Sequence, residues 1–476
     1  MKKFFILSAI MLFSVLLSMG AGDQSHKLLK SIPRSAETVI LADLSRIADQ
    51  SGYSRVELVS MLCSQVSPLM ANIVSTMAED GEIGVDLSGD IALFNTTDHE
   101  PLIGALKLSD ADAVKRFLKS QAERGSTLSH YNKGNVSGCY NEDFYLLCDK
   151  NVLLLIAGMQ GKNVEYFAKM FATKGEGFYL TKLGQTLSAR KGELRVASSA
   201  DANLGLSEAM AISTKDGLGG VMSVKTLGEE SVVEIEGVAL TQEAEEYLAQ
   251  MGAVVRPLTG KLLNYIPEST IALAMISKSP GSDSSQLKSL ESQLVAQADD
   301  ETAQVIESIL GQIDGDVAVA VQGEEKSQFT ILCQSKGDAL LTTIRNKIDC
   351  DWVQQGKGYV GKMGDMTLYM GSADGVAAIS THSAVTDLKY ADKPKMVNVE
   401  DLYAYLSLDV KGLGQTNVLQ SVSQDVNSVQ NVKRAILIQM IASTFDEVEF
   451  RLMNSKMQIK LDLAGEGNSI YSLLKP

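Results

Sequence analysis

The stretch KLLKSIP, Lys27 to Pro33, returns as KLLNYIP at Lys261 to Pro267. One short match in a chain of 476 residues carries little weight by itself. Its value lies in the landmarks that follow in the same order. LSGDIA from Leu87 is matched by IDGDVA from Ile313, and Asp112-Ala113 by Asp338-Ala339. VSGCYNEDFYLLCDKNVLLLI from Val136 aligns without a gap on YVGKMGDMTLYMGSADGVAAI from Tyr359, and the segment around Ile235 matches the one around Ile459. Landmarks that recur about 225 residues apart predict a tandem duplication of one unit.

Each copy continues from its KLLxxIP segment into an apolar stretch, TVILADL from Thr38 or STIALAMI from Ser269. The proline restricts the backbone before it and marks the start of a strand. A helical region follows. In the first copy Val56, Val59, Cys63, Val66 and Met70 recur at helical spacing, with Pro68 placed to bend or divide the helix. In the second, Leu287, Leu290 and Leu294 lead to Val305, Ile306 and Ile309, ending at Gly311. Short strands at GDIALF and GALKL precede a helix whose expected N-cap is Ser109. The block from Val136 reads as a meander of three strands. Between these landmarks the first copy has extra sequence from Lys162 to Arg195. The second has an expected helix from Val418 to Phe445, with Val422, Val426, Val429, Ile436 and Met440 on its apolar side.

The sharpest local pattern lies near the C-terminus. Val448, Phe450 and Leu452 alternate with Glu447, Glu449 and Arg451, and Met457, Ile459, Leu461 and Leu463 alternate with Gln458, Lys460 and Asp462. Period two on both arms, joined at Asn454-Ser455-Lys456, predicts an antiparallel hairpin with one buried and one wet face. Val233 and Ile235 repeat the pattern more weakly in the first copy. Strands and helices are mixed without a regular βαβ series. The expected fold is therefore α+β, a tandem duplication of an antiparallel-sheet unit with helices packed on one face. The first repeat runs over 21–255 and the second over 256–476, with the boundary between Ala249 and Gly260.

Residues 1–20 hold Lys2 and Lys3, an apolar run from Phe4 to Leu17 and then small residues, the layout of a secretory signal peptide. The run is shorter than the ~20 residues of a spanning helix, so the expected mature chain is exported to the periplasm or cell surface without a transmembrane segment. The formal net charge is −15, and loss of the leader removes two lysines and no acid. Such a chain repels phosphate backbones, which argues against a nucleic-acid partner. Five cysteines leave at least one unpaired. Cys139 and Cys148 flank a turn and could bridge a hairpin, but the aligned positions of the second copy are Lys362 and Gly371. Idle thiols are the better reading.

No motif prescribes a reaction. Gly356, Gly358 and Gly361 form GxGxxG, yet they follow an expected helix and lead into a strand, the reverse of a dinucleotide-binding turn. Ser188 and Lys191 have Ser-x-x-Lys spacing without the companion elements that would make a serine nucleophile. His26, His99, His130 and His382 are scattered, so no metal site or histidine triad is expected and no cofactor is implied. Asp314 with Asp316, and Asp349 with Asp351, are the carboxylate pairs that a hydrolase would need facing each other across a cleft. Gly89-Asp90 and Gly315-Asp316 precede strands in both copies and read as turn chemistry. Trp352, the sole tryptophan, reads as core rather than as a ligand platform.

The leader, the opening LLKSIPRSAETVILADLSRIADQSGY and the duplication together resemble an uncharacterised envelope family of Gram-negative gut and oral anaerobes, domain of unknown function 4836. The residues that carry the resemblance are Ile32, Pro33, Ala36, Val39, Asp43 and Leu44. Many members of that family look like lipoproteins, whereas this chain has no cysteine before Cys63 and so no lipobox. The family supplies no catalytic residues. The expectation is an exported cell-envelope protein, a non-catalytic binding or structural module for an unidentified envelope protein or polymer. The alternative is a carboxylate-dependent hydrolase of envelope or dietary polymer, with Asp314 and Asp316 the first residues to test.

Overall fold

The computed structural model describes residues 28–79, 83–96, 103–124, 127–158, 162–171, 177–199, 217–227, 230–246, 249, 256–278, 312–323, 328–335, 339–347, 350–364, 366–414, 444–453 and 456–464. These fall into two units that divide between Glu245 and Glu246. The sequence placed that division some ten residues later, in a stretch that is mostly outside the described residues. The leader, the expected helix of 287–311 and most of the expected helix Val418 to Phe445 also lie outside them.

The first unit contains strands β1 (Thr38–Asp43), β2 (Val85–Asp86), β3 (Asp90–Asn95), β4 (Ile103–Leu108), β5 (Ser129–Lys133), β6 (Val136–Tyr140), β7 (Phe144–Cys148), β8 (Val152–Ala157), β9 (Leu194–Ser198), β10 (Leu218–Leu227) and β11 (Glu230–Ala239). Antiparallel pairing orders them β11-β10-β9-β1-β3-β4-β8-β7-β6-β5, with the short β2 also on β4. The second unit contains β12 (Thr270–Ser277), β13 (Ile313–Gln322), β14 (Gln328–Ser335), β15 (Val353–Gln355), β16 (Gly358–Met363), β17 (Met366–Ala373), β18 (Val376–Ser380), β19 (Ala404–Asp409), β20 (Phe445–Met453) and β21 (Lys456–Leu463). Its antiparallel order is β21-β20-β19-β12-β13-β14-β18-β17-β16-β15. The two orders correspond position for position.

The registers correspond less closely than the order. Gly138 and Gly361 lie in corresponding strands β6 and β16, but Gly138 faces Leu147 while Gly361 faces Leu368. The reason is turn length. Tyr140 pairs with Tyr145 to close a longer connection, whereas Met363 pairs with Met366 to close a two-residue one. A gapless alignment through Val136 and Tyr359 therefore slips along the ladder. The turn before each of these strands does agree, with Gly134 at φ 61° and Gly356 at φ 59°, both in the left-handed region that favours glycine.

Alternation along β1 sends Ile40 and Ala42 to one face and Val39 and Leu41 to the other, and both faces are buried. On the first face pack the helices Leu44–Ser51, Arg55–Ser64, Pro68–Glu79 and Ala111–Glu123, through Ile47, Val59, Cys63, Val74 and Leu118. Pro68 begins a new helix, as its missing N–H permits at that position. On the second face lie Leu28, Leu29 and Ile32, Phe167 of the helix Val164–Ala168, Phe178, and Leu183 and Leu187 of the helix Lys182–Ala189. The expectation of helices on one face is thus corrected for the first unit. Its central strands are apolar on both sides and need cover on both.

In the second unit Leu262, Leu263 and Ile266 pack with Leu273, Met275, Ala318 and Leu332, on the face equivalent to that of Leu28, Leu29 and Ile32. On the opposite face Ile276, Val319 and Leu406 are exposed. The hairpin β20–β21 forms with Val448 opposite Leu461 and Phe450 opposite Ile459. Its polar face is not wet: every residue of β20 is half-buried, because Glu449 is engaged by both Tyr405 Oη–H and the Arg451 guanidinium.

Candidate functional site

The two Gly-Asp pairs place an aspartate at the same point of each sheet. Asp90 opens β3 opposite Asp43 at the end of β1, and Asp316 lies opposite Ser277 at the end of β12. Both are withdrawn from water, Asp90 at 6 % and Asp316 at 0 % exposure. An ionised carboxylate so placed costs several kcal/mol unless partners satisfy it. The partners therefore decide what each aspartate can do.

In the first unit the partner comes from the sheet. Arg195 of β9, itself 1 % exposed, donates from Nη2 to Asp90 Oδ2 at 2.8 Å. Asp43 lies in β1 between them, and its Oδ1 accepts the N–H groups of Ser45 and Arg46 to cap the helix Leu44–Ser51. Burial raises the carboxyl pKa of both Asp43 and Asp90, with the Arg195 charge opposing the shift in each. Glu193, also buried, accepts the Thr226 N–H. Two atoms of this cluster have no hydrogen-bond partner although they are shut off from solvent: Asp90 Oδ1 and Arg195 Nε.

In the second unit the partners come from the segment just before KLLNYIP. Thr259 donates its N–H and its hydroxyl to Asp316 Oδ2 at 2.8 and 2.6 Å, and Ser277 Oγ donates to Oδ1 at 2.9 Å. Thr259 Oγ1 in turn accepts from Gln334 Nε2 at 2.9 Å. Arg256 donates to Ser277 Oγ and Gln334 Oε1, which leaves its guanidinium 3.8 Å from Asp316. Gly315, at φ 138°, makes room for this arrangement. A Cβ there would meet Gln334 Oε1 and Arg256 Nη2 within about 2 Å.

A cavity of about 560 Å³ lies in the first unit, bordered by Ser54, Arg55, Ala78, Asp86, Ser88 and Ser109. Its acid is occupied. Asp86 accepts from Lys107 Nζ at 2.6 Å and from the Ser88 N–H and hydroxyl. Burial pushes the Asp86 pKa up, but these donors outweigh it and hold the group down at about 2. It is an ionised acceptor at neutral pH with no proton to exchange.

The structure does not assemble the other residues singled out in the sequence. Ser188 Oγ donates back to Gln185 O inside its helix, so it is not aimed at Lys191. His130 meets Ser137 Oγ at 3.5 Å, and His382 Nδ1 caps the 3-10 turn Ser383–Asp387. His26, His99 and Asp349 lie outside the described residues. Gly356, Gly358 and Gly361 sit in the turn and strand between β15 and β16, with no helix for a pyrophosphate. Trp352 packs over Gly361, where a Cβ would strike its ring. The proposed cysteine bridge is out of register: Cys139 faces Leu146 and Cys148 faces Ser137, and both thiols are free. Burial raises Cys63, Cys139, Cys148 and Cys333 to about 12 and keeps them protonated. Among the described residues no group of His, Cys, Asp and Glu is placed to hold a metal ion, and no helix is long and apolar enough to cross a membrane.

The chain matches no protein-family model, no curated protein and no solved structure. The residues that matter most at the aspartate clusters were not singled out in the sequence. Arg195 is one charge inside the short strand LRVAS, and only its place between apolar neighbours marks it. Thr259 and Arg256 precede a landmark whose own apolar residues draw the eye.

Proposed function

We propose that this chain is an exported, non-catalytic binding or structural module of the cell envelope, built by tandem duplication of one antiparallel-sheet unit. The observation that carries the duplication is the ten-strand order common to both units, which includes the non-sequential neighbours β1–β3 and β12–β13, β4–β8 and β14–β18. The aspartates at corresponding points of the two sheets support it. The envelope assignment rests on the leader-like N-terminus, the acidic charge and the Ile32-to-Leu44 motif.

The non-catalytic reading is favoured by how the acids are used. Asp316, one of the two carboxylates a hydrolase would recruit, has both oxygens engaged and no exposure. Asp90 is bound to Arg195 and Asp86 to Lys107. These are internal polar nodes, and a broad surface rather than a cleft is left to meet a partner. The test is co-purification of envelope components with the tagged mature protein, alongside hydrolysis assays on envelope and dietary polysaccharides. A reproducible partner, retained by Asp314→Asn and lost on deleting either unit, supports the proposal. Polymer hydrolysis abolished by Asp314→Asn would replace it with the hydrolase.

A further inference from the structure

The two unpartnered atoms of the first unit are of opposite kind. Asp90 Oδ1 is an acceptor, Arg195 Nε a donor, and both belong to one ion pair closed to solvent. Leaving either unmade costs about 1–3 kcal/mol, more for charged groups. One hydroxyl can satisfy both, because it donates one hydrogen bond and accepts others.

The second unit shows how such a group is delivered. There the Thr259 hydroxyl donates to Asp316 and accepts from the side-chain nitrogen of Gln334, while the Thr259 N–H adds a second donor to the same carboxylate oxygen. Thr259 stands two residues before Lys261 of KLLNYIP. Two residues before Lys27 of KLLKSIP stands Ser25. The segments that follow are seated alike, Leu28, Leu29 and Ile32 in the first unit and Leu262, Leu263 and Ile266 in the second, on the sheet face that also carries the aspartate.

We infer that the Asp90–Arg195 pair is a receptor for a hydroxyl-bearing residue of the chain's own N-terminal segment, and that the occupant is Ser25. Its Oγ–H and N–H donate to Asp90 Oδ1, and its Oγ accepts from Arg195 Nε. The inference deepens the duplication reading and rests on it. Its consequence is that the residues just beyond the leader complete the polar interior of the first unit, so that removing or disturbing them loosens the sheet at β3.

Segment-resolved hydrogen exchange on the mature chain tests this. Ser25→Ala should speed exchange of Ile91 to Asn95 about tenfold, the effect of one lost buried hydrogen bond. Ser25→Thr should keep the protection, and a chain beginning at Lys27 should lose it as Ser25→Ala does. Thr259→Ala, read at Val317 to Val321, is the control, because it removes a contact seen in the second unit. If Thr259→Ala loosens β13 while Ser25→Ala and the shortened chain leave β3 unchanged, the occupant is water or another group and the inference is overturned. The duplication reading fails separately, if an experimental structure gives the two units different strand orders.

Discussion

The two units solve one problem with different chemistry. Each buries an aspartate where its third sheet position begins, and the strand order that puts it there is common to both. In the first unit a guanidinium from β9 answers the charge across the sheet. In the second the corresponding residue on β19 is Tyr405, which looks to Glu449 instead, and the carboxylate is satisfied by hydroxyls and an N–H from Thr259 and Ser277. The comparison teaches that the sheet fixes the position of the charge and leaves its partner open. A formal ion pair and a ring of neutral donors can both hold the same node, provided the oxygens are met.

The comparison breaks most visibly at Arg195. Arg195→Met strands the Asp90 carboxylate in a closed interior and should cost the first unit about 3–5 kcal/mol, whereas Asp90→Leu combined with Arg195→Met should recover most of it. Hydrogen exchange at β1, β3 and β9 reads the loss. In the second unit Asp316→Asn keeps the shape but weakens three charge-assisted hydrogen bonds, for an expected loss of about 2 kcal/mol. Exchange at β12 and β13 measures it, and an effect as large as that of Arg195→Met would mean that Arg256 acts as a full ion-pair partner.

Acid separates the units further. Asp86 is held at about 2 against an ordinary value of 3.8. A depressed carboxylate contributes stability that is complete above its unfolded pKa and is lost as pH falls through its folded pKa, here between roughly pH 4 and pH 2. The contribution is about 2 kcal/mol for a side chain only 18 % exposed. Lys107→Met should flatten this part of the acid-denaturation profile. The corresponding residue of the second unit is Gln334, so β13 and β14 should show no comparable step. The smallest expected effect is at Ser54, whose hydroxyl and Glu57 form a reciprocal capping box on the helix Arg55–Ser64. Ser54→Ala should cost about 1 kcal/mol, visible as a shift in the thermal midpoint.

Much of the sheet was legible because strands carry their pattern locally. The alternation of Val448 to Leu452 against Met457 to Leu463 required nothing but period two, and β20 and β21 pair in that register. The helix after GALKL was legible to within one residue: Asp110, not Ser109, accepts the Ala113 N–H, while the Ser109 N–H goes to Gly84 O. What the sequence hid depends on distance along the chain. Pairing of β1 with β9 brings Arg195 beside Asp90 from 105 residues away, and no local pattern encodes that meeting. Cover on the second face of the first sheet was hidden for a similar reason, since Phe167, Phe178 and Leu187 lie in a stretch set aside as extra sequence.

All five cysteines are reduced, and four of them are buried. A thiol held near 12 and walled off by side chains offers almost no thiolate to an oxidant or a disulfide exchanger. Cys350 alone is partly open to solvent. Alkylation of the native chain should therefore stop at one label and advance to five only as the sheets come apart, so the sulfur atoms serve as a built-in odometer of unfolding. Reducing agent should leave the melting curve where it was.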